Sequence, residues 1–401
     1  MNMRMKFSNA ELQARVEQVM RKWIQKDDIE TDQITEGSIP GACVFVKAGD
    51  NEAQYCAGWS LRYSDAEGHN LDKKDWIPMA PDKIFDLASI TKIWTTLCFF
   101  ILQKEHNISI ETPVYEILPG FLENNEESVF DKKTVLIRHI MAHMSGFHPE
   151  PTPLLDSPEM CCLPVSELRK SVISNSLVTE PGTHGIYSDV NYLLMGFIIE
   201  TVSGTSLDKY MNEKLIVPMG LQDSGFNVGK DKFARVVANE YSKPERVLGR
   251  PQPIRGTVHD EKGHLFNGVA GHAGMYSTLE DMKEFCELLL NKGFYNGKQI
   301  VDADLLENGL KCYTSHLPGY KRGLGFELDS HFTMGKEFCA LPGIAYGHTG
   351  FTGTSFVINN ATRSYVILLT NRTHPNRDIS GSCNPARVEF ADLAAEVARS
   401  E

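Results

Sequence analysis

The sequence predicts an α+β protein: one antiparallel sheet assembled from both ends of the chain and flanked by helices, with a mostly helical segment inserted between them. Two observations carry that prediction. β-rich runs fall near the ends, at residues 41–47 and 53–59 and again at 344–348, 354–358 and 364–370. Between about residues 105 and 250 apolar positions recur at helical spacing and strand signals are scarce. The expected division is a sheet domain from 1–75 with 275–401 and a helical domain from 76–274, with the active site between them.

In chain order, Ser8-Asn9-Ala10-Glu11 reads as a capping box, and Leu12, Val16, Val19 and Trp23 mark an amphipathic helix ending near Lys26. Ala48-Gly49-Asp50-Asn51 then turns the first strand into the second as a hairpin. Residues 60–84 are polar and turn-rich. Ile90, Ile93, Trp94, Leu97 and Ile101 lie on one face of a buried helix. Helices are expected at 134–143, closed by Gly146, and at 190–202, closed by Gly204. Two more are expected at 206–215 and 279–290. Residues 225–268, rich in Gly and Pro, read as a long surface excursion. Asn359-Asn360-Ala361 joins the last two strands, and Asn384-Pro385 starts a final helix carrying Val388, Leu393 and Val397.

With 401 residues, 42% of them hydrophobic, the chain can bury a large core. A net charge of −12 argues against nucleic acid or an anionic membrane as partner. The longest apolar run, 192–199, is too short to span a bilayer. Met1-Asn2-Met3-Arg4-Met5-Lys6 has positive charge but no apolar segment after it, so no secretory signal is read there. Nine scattered cysteines without a C-x-x-C pair read as reduced, buried thiols, including Cys161-Cys162. The expectation is a cytoplasmic protein.

Chemistry concentrates at Ser89-Ile90-Thr91-Lys92. A serine in the first turn of a buried helix with a lysine one turn on is a nucleophile beside a base, because desolvation lowers a lysine pKa. The helix N-terminus also supplies N–H groups for an oxyanion. Alone the pattern is weak: Ser206-Leu207-Asp208-Lys209 repeats it, and there Ser206 reads as an N-cap and Lys209 as an exposed charge. Tyr187, in a loop entering a helix with Asp189, could relay protons. His348-Thr349-Gly350 lies where a strand passes through two glycines, which marks close approach of the backbone to a ligand. His139 with His143 lacks the glutamate of a zincin. His259-Asp260-Glu261 with His272 is a better metal candidate, although a loop lining a cleft explains it as well. No G-x-S-x-G elbow and no phosphate-binding glycine loop occurs. No metal and no cofactor is expected.

Ser89-x-x-Lys92, Tyr187-x-Asp189 and His348-Thr349-Gly350, in that order, resemble the three motifs of serine β-lactamases and penicillin-binding proteins. Their spacing is similar to the class C branch, which also holds D,D-carboxypeptidases, D-aminopeptidases and family VIII carboxylesterases. Phe85-Asp86-Leu87-Ala88, residues 138–146 and residues 268–274 are also similar to stretches common in bacterial members. The resemblance implies a β-lactamase/transpeptidase-like fold. It also implies Ser89 as acylated nucleophile, Lys92 as base and Tyr187 as proton donor to the leaving group. The backbone N–H groups of Ser89 and Phe351 would form the oxyanion hole. Asp189, His348, Thr349, Gly350 and His272 are the expected substrate-binding residues.

Two positions depart from the family pattern. Asp189 replaces the usual Asn; beside Lys92 it would raise the lysine pKa, or it could receive a substrate ammonium. His348 replaces the usual Lys and would hold a carboxylate less firmly. Both favour an esterase or D-amino-acid peptidase over a true β-lactamase. A non-catalytic binder of peptidoglycan fragments is the alternative of a different class, and a metal-dependent hydrolase a distant third. The expected partner is a small molecule or peptide.

Overall fold

The computed structural model describes residues 7–26, 39–123, 125–127, 129–246 and 248–400. The reading of Met1 to Lys6 lies outside them. A capping box opens helix α1 (Asn9–Trp23): Ser8 Oγ accepts the Glu11 N–H, and Glu11 accepts the Ser8 N–H at 2.8 Å. The helix stops at Trp23, short of the expected Lys26.

Seven strands form the central antiparallel sheet: β1 (Gly41–Ala48), β2 (Asn51–Leu61), β3 (Ile77–Pro78), β4 (Glu327–Leu328), β5 (Ala345–Thr349), β6 (Ser355–Asn359) and β7 (Ser364–Thr370). Their order is β3-β2-β1-β7-β6-β5-β4. The two ends of the chain meet where β1 pairs β7, with Val44 opposite Leu368. The expected sheet is therefore present, with strand boundaries shifted by a residue or two.

Because side chains alternate across a strand, the sheet has two apolar faces. Ala42, Val44, Val46, Val357, Val366 and Leu368 pack in one cluster with Leu12 and Val16 of α1 and with Phe390, Ala394 and Val397 of the C-terminal helix Asn384–Ala398. Cys43, Phe45, Phe356, Ile358, Ile367 and Leu369 face the larger cluster. On that side lie α2 (Thr91–His106), α3 (Asp189–Ser203) and α4 (Leu279–Leu290). Phe285 of α4 meets Phe356 edge-on at 5.9 Å and stacks on Trp94 of α2 at 4.2 Å. Each such buried side chain contributes roughly 1.5–3 kcal/mol, so α2 is held against the sheet through α4.

Several expectations are corrected. The helix expected at 134–143 is reduced to Ile137–Met141, because the chain turns left-handed at His143 (φ 57°) and Gly146 (φ 88°). The helix from Leu207 does not stop at 215: it widens through Asn212–Ile216 and runs on to Met219. The excursion at 225–268 is not a surface loop. Val236, Ala238, Glu240, Ile254, Val258 and His259 are buried, and Gly225–Phe226 joins a small three-stranded sheet. Cys161 and Cys162 are not buried hydrophobes; Cys162 is exposed, and all nine cysteines are free thiols. Among the described residues no helix is long and apolar enough to cross a membrane.

Candidate active site

The turn that presents Ser89 precedes α2 as a 3₁₀ segment, Ala88–Ile90, one step earlier than the helical turn expected. Ala88 sits at φ 47°, a conformation that costs a non-glycine residue about 1–2 kcal/mol. Hydrogen bonds hold it there. Asp86 Oδ1 accepts the Ala88 N–H at 2.8 Å, and Thr91 Oγ1 donates to the Ala88 carbonyl at 2.6 Å. Asp86 Oδ2 accepts the His259 N–H at 2.7 Å, which ties the buried 254–259 stretch to the same turn.

Lys92 is fully buried, and its ammonium has three acceptors: Ser89 Oγ at 3.0 Å, Asp189 Oδ1 at 2.9 Å and the His272 carbonyl at 3.1 Å. Burial disfavours its charge, yet Asp189 and Tyr187 outweigh burial and leave the lysine above its ordinary pKa. Asp189 in turn is held well below the carboxylate range: burial pushes it up, but Lys92, Lys262 and His272 pull it down further. Its second oxygen takes Lys262 Nζ at 3.2 Å. Both Asp189 oxygens thus stand on lysines, while the side chain still lines one of the two cavities beside Ser89.

The Tyr187 ring lies 4.9 Å from Lys92 Nζ. It is flanked by His143, 4.5 Å between ring centroids, and by His348 at 6.0 Å, with the Arg322 guanidinium 5.4 Å from its face. His143 Nδ1 accepts the Ser188 N–H at 3.1 Å, so this histidine supports the tyrosine loop. It does not pair with His139, whose Nδ1 faces the Leu136 N–H at 3.3 Å.

The end of β5 is fastened to the serine turn. Thr352 Oγ1 donates to the Asp86 carbonyl at 2.7 Å and Thr354 Oγ1 to the Leu87 carbonyl at 3.1 Å. A Cβ on Gly350 would lie 2.5 Å from the Leu87 carbonyl oxygen, so only glycine permits this approach. Phe351 follows, its carbonyl held by Arg372 at 2.9 Å and its ring against His259, Arg372 and Arg377. Ser89 and Phe351 line the same two cavities.

His348 Nδ1 donates to the Thr349 carbonyl at 2.8 Å, and Nε2 is buried without a partner. Burial first, then Arg322 and Lys92, keep its pKa well below the ordinary histidine value. It is neutral at physiological pH and cannot supply the charge of the usual lysine. His272 is 1% exposed, and its Nε2 pairs with Asp260 at 2.8 Å. Its carbonyl reaches Lys92, and the side chain, paired with Asp260, is not among the residues lining the two cavities beside Ser89. Asp189, Asp260 and His272 are the one cluster of metal-ligand type among the described residues. The Lys262 ammonium, within 3.6 Å of both carboxylates, already stands as its cation. His259 and Glu261 turn instead to Glu240 and Arg377.

Ser89, Tyr187 and Phe351 separate two cavities. One, 410 Å³, is lined by His348, Thr349, Gly350, Arg322, Arg372, Arg387 and Glu327. The other, 440 Å³, is lined by Glu150, Leu154, Asp156, Asp260, Glu261 and Lys262 among others. Arg322 carries a buried Nη1 without a partner. Neither Arg322 nor Lys262 stood out in the sequence, where each is one basic residue in a mixed polar stretch.

An antiparallel sheet edge beside a helix that opens on a serine–lysine pair is the architecture of serine hydrolases working through an acyl-enzyme. The chain belongs to the Beta-lactamase family, whose model matches residues 14–381. It is 31% identical over 340 residues to an Escherichia coli K12 protein named "Putative D-alanyl-D-alanine carboxypeptidase", covering 81% of this chain and 77% of that protein. Among solved structures it is similar to a class C β-lactamase from Rhodobacter sphaeroides (TM-score 0.67, 20% identity, 97% and 99% of the two chains). It is also similar to the hydrolase EstCE1, described as having promiscuous acyltransferase activity (TM-score 0.68, 19% identity, 96% and 99%). These structural likenesses fix the fold.

Proposed function

We propose that the protein hydrolyses the amide bond before a C-terminal D-amino acid, through an acyl-enzyme on Ser89. The observation that carries this reading is the placement of Ser89 between its Lys92 contact, at 3.0 Å, and a cavity lined by three arginines. Arg322, with an unpaired Nη1, supplies the fixed cation that neutral His348 lacks, and a carboxylate is its complement. The name of the E. coli relative points the same way.

In this reading Lys92, once neutral, takes the Ser89 proton as Oγ attacks the scissile carbonyl. The N–H groups of Ser89 and Phe351 stabilise the oxyanion. Tyr187 then protonates the departing amine and later activates the water that releases the acyl group. Thr349 hydrogen-bonds the leaving-group carboxylate beside Arg322. An activated ester, which needs no protonated leaving group, is the simpler substrate of the same site.

Intact-protein mass after brief exposure to a penicillin, together with release of D-alanine from a peptide ending in D-Ala-D-Ala, tests the proposal. Ser89→Ala is the control. A Ser89-dependent penicillin adduct with D-alanine release is the expected result. Ester turnover without peptide cleavage would move the assignment to an esterase, and rapid penicillin turnover to a β-lactamase. An absence of both adduct and turnover would favour the non-catalytic binder.

A further inference from the structure

Lys92 and Asp189 belong to a closed ring of charges. Lys92 donates to Asp189 Oδ1 (2.9 Å), and Asp189 Oδ2 meets Lys262 Nζ at 3.2 Å. Lys262 also reaches Glu150 at 2.8 Å and Asp260 Oδ2 at 3.6 Å. Asp260 Oδ1 pairs with His272 Nε2 at 2.8 Å, and the His272 carbonyl returns to Lys92 at 3.1 Å. The ring is stiff. Asp260 Oδ1 also takes the Gly263 N–H at 2.7 Å, capping the short helix that bears Lys262. Gly271, whose Cβ would lie 2.1 Å from the Tyr192 carbonyl oxygen, presses the His272 segment onto α3.

An aspartate alone at position 189 would lock the proton on Lys92 and leave Ser89 without a base. We propose that Lys262 is a positioning residue for the Ser89–Lys92 pair. Its ammonium, shared with Glu150 and Asp260, offsets part of the Asp189 charge, so that Asp189 holds the proton on Lys92 less firmly than it would alone. The inference rests on the acyl-enzyme reading above. Other groups around the pair are few. Tyr187, Tyr192 and the neutral His143 and His348 surround Lys92, with Arg322 beyond them. Glu150, Asp189 and Asp260 hold Lys262, whose own pKa stays well above the ordinary value because those three outweigh burial. Those carboxylates hold Lys262 in its charged form.

The test is the pH dependence of Ser89 phosphonylation by a fluorophosphonate, followed by intact mass. This readout needs no natural substrate. Lys262→Met should move the acid limb up by about one unit or more and slow labelling at least ~10-fold below it. Lys262→Arg, which keeps the charge, should label within ~3-fold of wild type, and Asp189→Asn/Lys262→Met should bring the limb back to or below its wild-type position. An unmoved limb in Lys262→Met refutes the proposal. Should that variant not fold, Lys262→Gln, which keeps a hydrogen-bond donor beside the carboxylates but not the charge, decides in its place: an unmoved limb refutes the proposal. If wild type and Ser89→Ala label alike, the acyl-enzyme reading fails and takes this inference with it. Labelling at Ser89 with an unmoved limb sinks only the role of Lys262.

Discussion

Asp189→Asn isolates the charge that separates this site from the usual family pattern. At 2.9 Å the carboxylate stabilises the Lys92 ammonium by about 6 kcal/mol at an effective dielectric of 20, an upper figure of about four pK units. The asparagine oxygen would keep a hydrogen bond worth about 1 kcal/mol. The expected net fall in the Lys92 pKa is therefore about 1–3 units, the range measured for a close opposite charge. Lys262 stays in place, held by Glu150 and Asp260. The assay is kcat/KM for a p-nitrophenyl ester up to about pH 10, where the wild-type rate should still be rising with pH because Lys92 is held above the ordinary lysine pKa. Where Lys92 carries the acid limb, the limb should move down by at least one unit and the rate below it should rise ~10-fold per unit. An unmoved limb, with the rate reduced equally at every pH, would show that Lys92 deprotonation does not govern acylation.

Three further outcomes follow from the geometry. Arg322→Ala should raise KM about 10–100-fold for a peptide with a free C-terminal carboxylate, the loss of one charged hydrogen bond, while a neutral ester changes little; equal losses on both would remove Arg322 from carboxylate binding. Gly350→Ala would place a Cβ 2.2 Å from Thr354 Oγ1 and 2.5 Å from the Leu87 oxygen, shifting Phe351 off the oxyanion, so kcat should fall on the order of 100-fold with KM nearly constant; steady-state kinetics on the ester decide it. His374 donates from Nδ1 to the Asn239 carbonyl and accepts the Arg62 and Tyr63 N–H groups at Nε2; burial first, then the Arg62 and Arg255 charges, outweigh the Asn239 bond and hold its pKa down at about 4. The unfolded chain takes up that proton near pH 6.5, so stability should fall as pH drops from 6.5 toward 4, by about 3 kcal/mol from this residue; a Tm flat across that window in wild type would contradict it.

What the sequence could say was local. The three-residue spacing of Ser89 and Lys92 on a helical period put both groups on one face, and the structure holds them 3.0 Å apart. The capping box at Ser8 and the alternating runs of β1, β2 and β7 were legible for the same reason, because side-chain period and capping are properties of neighbours. The ordered motifs then carried the family. Even the effect of Asp189 on Lys92 was readable once the two were known to share a motif set.

Charge pairing across elements was not legible. Lys92 meets Asp189 across 97 residues, and whether that carboxylate is free or bound depends on Lys262, which arrives on a stretch read as surface loop. His272 shows the same limit. Its ring looked like a substrate ligand, but the packing of Gly271 against α3 turns the ring to Asp260 and offers the carbonyl to Lys92. Arg322 comes to lie over the Tyr187 ring from the segment entering β4, a pairing between distant parts of the chain that no local pattern shows. Periodicity reports which face of an element is buried, not which element it is buried against. The nucleophile and its base were therefore set by local spacing, while the electrostatics that let the base work were decided by tertiary packing.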